Sequence, residues 1–296
     1  MLGLNLINSL SHTPHVILSP DRLELSCLDG KNVKDYIAKQ QPQMVIHCAA
    51  KVGGISANIA SPYLFFKDNM LMGINVIEAC INAGVKELIN ISSTNVYPDD
   101  TVGGVFFESD ILSGKLNEST EGYGLAKGCT AKLAEYASIQ FGVSYRSIVS
   151  SNLYGRFDSF STSKAHMIPA IIRRLHEATA AGLESVEIWG DGSSRRGFLF
   201  AEDLTNFIAD LIGKVKILPQ NINVCPTYDH SVYEYNKIIA DIIGYEGKFH
   251  FNESMPTGSK QKNFNFDLAS SMGWVEKTSI EKGIQKTYEY FLETSE

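Results

Sequence analysis

Short apolar runs alternate with amphipathic stretches of helical length along most of this chain. Val16-Ile17-Leu18, Met44-Val45-Ile46-His47-Cys48 and Val85-Lys86-Glu87-Leu88-Ile89-Asn90-Ile91 read as buried strands. Helical spacing falls over residues 33–38, 69–83 and 121–140, and a further strand over 144–151. Alternation of this kind predicts an α/β fold with a doubly wound parallel sheet. Beyond about residue 155 the pattern loosens into loops, a helix over 168–181 and short strands such as 186–189. The expected organisation is a dinucleotide-binding domain over 1–155 and a smaller substrate-binding lobe over 156–296. No internal repeat, low-complexity tract or clean linker separates the two, so they are expected to interleave.

The chemistry gathers around Tyr123-Gly124-Leu125-Ala126-Lys127. Four residues apart on a helix, the phenol and the ammonium share a face. A cation beside a Tyr favours the phenolate, so Lys127 is expected to bring the Tyr123 pKa down toward the working range. About thirty residues upstream, the strand over 85–91 runs into Ser92-Ser93-Thr94-Asn95-Val96-Tyr97-Pro98. In an open parallel sheet, ligands meet the carboxyl ends of strands, which is where these hydroxyls lie. A Ser at a strand end followed by a Tyr-x-x-x-Lys helix resembles the Ser/Tyr/Lys set of the short-chain dehydrogenase/reductase superfamily, with Ser93 in the place of the catalytic Ser.

Other segments narrow the resemblance. Ala49-Ala50-Lys51-Val52-Gly53-Gly54-Ile55, Ser151-Asn152-Leu153-Tyr154-Gly155, His166-Met167-Ile168-Pro169-Ala170 and Arg173-Arg174-Leu175-His176-Glu177-Ala178 follow in order, then Trp189-Gly190-Asp191-Gly192 with Arg196. Together they are similar to the GDP-L-fucose synthase family, over essentially the whole chain. The resemblance implies a Rossmann-like sheet and NADP(H), with Gly3, Arg22, Ala49, Ala50, Tyr123 and Lys127 at the cofactor. It also implies catalysis by Ser93, Tyr123, Lys127 and His166, and a GDP-sugar held by Asn152, Arg174, Trp189, Arg196 and Lys262. A homodimer is implied through helices matching residues 69–83 and 121–140. His176 reads as structural.

Two departures from the family change what is expected. Met1-Leu2-Gly3 matches only the end of the glycine-rich turn that cradles a dinucleotide pyrophosphate, so the first strand of the sheet and two glycines have no counterpart. A displaced start, a shortened chain and lost cofactor binding all remain open on this reading, while Arg22 still matches the residue for the NADP 2′-phosphate. The second departure is Asn95, where the family has a Cys that works with His166 in epimerisation at C3 and C5. An amide has no usable proton affinity, so 4-keto reduction is expected with weak or absent epimerisation. A complete GDP-L-fucose synthase in which another residue replaces the Cys, and a cofactor-free protein that only binds nucleotide-sugar, are the alternatives.

Composition narrows the setting. With 26 Lys and Arg against 33 Asp and Glu, the net charge of −7 disfavours a nucleic-acid or membrane surface. Any anionic substrate must be held by local cations. Cys27, Cys48, Cys80, Cys129 and Cys225 show no metal-ligand spacing, and the first three sit among apolar residues, as free thiols in a reducing compartment would. Without a run of about 18 apolar residues or a basic-then-apolar leader, the expected location is cytoplasmic.

Overall fold

The computed structural model describes residues 1–99, 104–162, 165–255 and 261–295. The first half runs α1 (Leu2–Leu10), α2 (Gly30–Gln40), β1 (Met44–His47), α3 (Ile55–Ala60), α4 (Pro62–Asn82), β2 (Glu87–Ser93), β3 (Val105–Phe106), α5 (Glu121–Phe141), β4 (Ser144–Ser150) and β5 (Asn152–Tyr154). It continues as α6 (Met167–Ala180), β6 (Ser185–Trp189), β7 (Arg195–Arg196), β8 (Phe198–Phe200), α7 (Ala201–Leu211), β9 (Asn221–Val224) and β10 (His230–Ser231). The last elements are α8 (Val232–Ile243), β11 (Lys248–Asn252), β12 (Asn263–Phe264), α9 (Asp267–Ser271) and α10 (Ile280–Ser295).

The central sheet is parallel, in the order β1-β2-β4-β9. Its register places Met44 opposite Glu87, Ser93 opposite Ser150, and Ser150 opposite Val224. Helices cover both faces, which is why β2 and β4 are buried over nearly their whole length. The strand period of two sends neighbouring side chains to opposite layers. Leu88 packs with Val76, Ile77 and Ala134 of α4 and α5, whereas Ile89 and Ile91 pack with Leu6 of α1 and Leu204 and Phe207 of α7. A second apolar cluster joins Ile168, Ile172 and Leu175 of α6 to Val186 of β6, Tyr235 and Ile239 of α8, and Ile284 and Phe291 of α10. The later part of the chain therefore serves both cores, because α7 and β9 return to the central sheet.

Local signals account for the helix ends. Pro62 opens α4, where a missing N–H costs nothing. Gly142, at φ 64°, closes α5 in the left-handed conformation, and a Ser231–Glu234 capping box opens α8.

One expected strand is absent. Val16-Ile17-Leu18 is irregular, and Val16 is 90% exposed, although Ile17 packs on the α1/α7 layer. A strand exists only through a neighbour that satisfies its backbone, and this segment has none among the described residues. β1 pairs with β2 alone among the described residues, and Met44, Val45 and Ile46 are only half-buried. The apolar run at 16–18 reflects strand propensity without a partner.

Candidate active site at the end of the second strand

β2 delivers Ser93 to the carboxyl edge of the sheet, and α5 crosses beneath it with Tyr123 in its first turn and Lys127 one turn later. The close crossing depends on Gly124. A Cβ there would collide with the Asn95 carbonyl oxygen and would lie 3.0 Å from a Leu116 methyl. The chain thus uses its smallest residue between Tyr123 and Lys127 to seat the helix against the loop after β2. Further along, the Ser92 hydroxyl lies 3.4 Å from the Lys127 carbonyl.

The Asn95 N–H donates to Ser93 Oγ at 3.3 Å, and Ser93 is near enough to the Tyr123 phenol to act on its pKa. Burial pushes the Tyr123 pKa up to about 12, with Ser93 acting the other way. This corrects the expectation drawn from helical spacing, since Lys127 does not bring the phenol down. The ammonium is itself desolvated. Lys127 is 5% exposed and its pKa falls to about 8 through burial, with the Cys48 thiol opposing the shift. Each group loses solvation of its charged form, and that loss is the largest cause of each shift.

The loop after β1, with Ala49 and Ala50 half-buried in it, is held by α4. Asn69 accepts the Lys51 N–H at 2.9 Å and donates to the Lys51 carbonyl at 3.1 Å, as a neighbouring strand would. Lys51 also pairs with Asp68 at 3.0 Å, which holds that carboxyl below its usual range. His47 lies beneath this loop, its pKa lowered to about 3 by burial and by Lys127. Cys48 feels the same ammonium while burial pushes its thiol up to about 11. Its setting is therefore less apolar than the sequence suggested. All five cysteines are free.

His166 stands at the N-terminus of α6, and the Asp158 carboxyl feels its charge. Burial raises the Asp158 pKa; Oδ1 accepts the Ser159 N–H at 2.8 Å, and Oδ2 is buried without a partner among the described residues. A cleft of about 420 Å³ opens at Tyr123, lined also by Asn58, Ile59, Phe65, Ser119 and Thr120.

A second group of residues gathers around α8. Arg174 donates to the Asn236 side chain at 2.7 Å, and its buried Nε lacks a partner among the described residues. The Tyr235 hydroxyl donates to the Arg196 carbonyl at 2.8 Å, so consecutive residues of α8 hold both arginines. Burial lowers the pKa of each guanidinium. Trp189 ends β6 at 47% exposure, Asn152 is exposed at the start of β5, and Lys262 pairs with Asp99 at 3.3 Å. His176 donates to or accepts from the Tyr288 hydroxyl at 3.0 Å and packs on Phe291, a structural role.

Gly3 lies in the first turn of α1, and a Cβ there would have no atom within 4 Å. Arg22 lies in an exposed turn and makes no ion pair among the described residues. Neither is in contact with the Tyr123 group. A nicotinamide cofactor fits this chain at one end in particular: Lys127 is a buried cation with no ion pair among the described residues, one helical turn from the half-buried phenol of Tyr123.

The sequence matches the NAD dependent epimerase/dehydratase family over residues 1–225. The chain belongs to that family. Within it, the chain falls in the GDP-L-fucose synthase group and is a nicotinamide-dependent oxidoreductase/epimerase of the short-chain dehydrogenase/reductase type. It is 40% identical to GDP-L-colitose synthase of Yersinia pseudotuberculosis, over 99% of this chain and 95% of that one. GDP-L-fucose synthase of Azorhizobium caulinodans is 38% identical, over 100% of this chain and 95% of that one. The crystal structure of a GDP-6-OMe-4-keto-L-xylo-heptose reductase from C. jejuni superposes with a TM-score of 0.92 at 25% identity, covering 99% of this chain and 94% of that one. Among the described residues, no helix is long and apolar enough to cross a membrane.

The sequence reading missed His47, Asp99, Asn236 and the Asp158 beside His166. No local spacing marks them, since each acts through a contact made between distant segments. An unpaired acidic residue eight positions before His166 was the one available hint.

The desolvated lysine yields a test. Because the folded pKa of about 8 lies below the ordinary lysine value of 10.5, the unfolded chain binds more protons across that window, and stability rises with pH through it. Lys127→Met should therefore raise the unfolding free energy of the unliganded protein at pH 7 by up to about 3 kcal/mol. The gain should fade as pH rises from about 8 to 10.5. Urea unfolding at pH 7 and at pH 10 measures it. A variant less stable than the parent at pH 7 would show that the ammonium is well compensated.

Proposed function

We propose that this chain is an NADPH-dependent reductase of a GDP-4-keto-6-deoxy sugar, a hexose or a heptose, acting at C4 with weak or absent C3 and C5 epimerisation. The observation that carries the reading is Ser93 at the end of β2 facing Tyr123 in the first turn of α5, with buried Lys127 one turn on. The printed names of the relatives, which concern GDP-sugars, support the substrate class. Exposed Arg22 supports NADP over NAD, as a cation available to a 2′-phosphate.

When bound, the reduced nicotinamide supplies the hydride. Tyr123 donates its proton to the oxygen at C4 as that oxygen becomes an alkoxide. A phenol held near pKa 12 is fully protonated at neutral pH, and an alkoxide is a stronger base than a phenolate, so the transfer runs in the reductive direction. Ser93 accepts from the Asn95 N–H, which leaves its own O–H to hold the carbonyl oxygen. Lys127 holds the nicotinamide ribose. Arg174, Arg196 and Lys262 take the diphosphate, the two arginines by their planar forks, while Asn152 and Trp189 line the sugar and base. The cluster of α6, α8, β6 and α10 forms the substrate lobe, within residues 156–296.

His166 with Asp158 forms a proton-transfer pair at the substrate. It lacks a titratable partner across the site, because position 95 carries an amide.

A homodimer pairs through α4 and α5. Tyr63 at 69%, Tyr136 at 60% and Ile139 at 74% exposure lie on these two helices, with Phe66 and Leu71 also exposed. Sedimentation at micromolar concentration should read a dimer, and Tyr136→Glu together with Ile139→Glu should shift it to monomer. A monomeric parent protein would overturn the arrangement.

Tyr123→Phe is expected to lower the rate of NADPH oxidation with a GDP-4-keto-6-deoxy sugar by about 10²–10⁴-fold. Circular dichroism should remain that of the parent. Retention of more than half the rate would remove Tyr123 from proton transfer.

In D₂O the parent enzyme should leave C3 and C5 of its product protiated, and Asn95→Cys should raise exchange at one or both carbons. Mass and proton spectra of the product read this directly. Rapid incorporation at both carbons in the parent would return the assignment to a complete GDP-L-fucose synthase.

A further inference from the structure

One of the three cations assigned to the diphosphate, Lys262, is ion-paired with an acidic side chain, and a second, Arg196, feels the charge of the same acid. Lys262 places its ammonium 3.3 Å from Asp99 Oδ1 and donates to the Tyr97 carbonyl at 3.1 Å. The pair is largely withdrawn from solvent, with side-chain exposures of 14% for Lys262 and 27% for Asp99. Arg196 also feels the Asp99 charge, which partly offsets the burial of its guanidinium.

Asp99 is held in place from two further directions. Its other oxygen accepts from the Asn117 amide at 2.6 Å, and its N–H donates to the Lys115 carbonyl at 2.9 Å. It lies six residues beyond Ser93 on the segment that leaves β2, so the acid is tethered to the catalytic end of the sheet. Such tethering means the carboxylate cannot simply swing into water when another anion arrives.

We infer that Asp99 is an internal counter-ion for the diphosphate subsite, which occupies Lys262 in the free protein and which the bound diphosphate must replace. This rests on the reading of Arg196 and Lys262 as diphosphate ligands. A half-buried cation without an anion is costly, so Asp99 keeps Lys262 charged, ordered and pointing at the subsite. When a diphosphate arrives, Lys262 exchanges one anion for another. The tethered Asp99 then faces the phosphates across a short distance and repels them. Asp99 thus sets how readily nucleotide leaves, at the expense of how tightly it binds. In an enzyme whose substrate and product both carry the same GDP, a weaker hold on that shared group limits product retention.

The test is calorimetric titration of GDP and GMP into the full chain and into Asp99→Asn and Asp99→Ser. Asparagine keeps a partner for Asn117 while removing the charge, and the serine variant checks that any change follows charge rather than one replacement. Thermal melting confirms that each variant folds. Both variants should bind GDP roughly 3- to 10-fold tighter than the parent. The gain should be smaller for GMP, which brings less charge to the subsite, and should shrink at high salt. A purely structural role for Asp99 would not produce a gain that depends on the second phosphate. Equal or weaker GDP binding by both variants overturns the inference while leaving the subsite intact. If the parent binds no GDP at all, or if Lys262→Met leaves its GDP affinity unchanged, the assignment of the subsite fails and this inference with it.

Discussion

The site depends on desolvation at one crossing, where α5 passes under the end of β2. Gly124 lets the helix approach the Asn95 carbonyl, and that approach removes water from Tyr123 and Lys127. Each group then disfavours its own charge, so the phenol stays protonated and the ammonium becomes weakly basic. A protonated phenol beside a cation that protein contacts do not satisfy is suited to receive a carbonyl substrate and a ribose. The same arrangement costs the free protein stability, as polar groups buried for chemistry commonly do.

Charge is handled locally throughout. With a net charge of −7 the molecule offers no general attraction for an anion, and its candidate diphosphate ligands are embedded among acidic or amide partners. Asn236 orients Arg174, the Arg196 carbonyl is held by Tyr235, and Asp99 holds Lys262. The contacts of Asn236 and Asp99 fix direction in long side chains that would otherwise lose considerable rotamer entropy on binding.

The edge of the sheet shows how a strand with one neighbour among the described residues differs from one flanked on both sides. β2 and β4 are each flanked on both sides and are buried, whereas β1 has one partner among the described residues and its apolar residues are only half-covered. Val16-Ile17-Leu18 has the composition of a strand and the exposure of a loop. Propensity supplied the tendency, and pairing withheld the structure.

By itself the sequence determined the alternation of helix and strand, because burial on one or both faces leaves a period that local reading can detect. It also made legible the placement of Ser93 at a strand end and of Tyr123 and Lys127 one turn apart on a helix, since each depends on one local element. What it left open were quantities set by contacts between distant segments. The direction of the Tyr123 shift required knowing how deeply α5 is buried, and spacing alone suggested the opposite sign. The partnership of Asp99 with Lys262 joins residues far apart in the chain, as does that of Asn69 with the loop after β1. Whether residues 16–18 formed a strand was likewise a matter of neighbours. Periodicity is a local property of the chain, whereas solvation, pairing and electrostatic sign depend on what the fold brings alongside, and only the tertiary structure decides that.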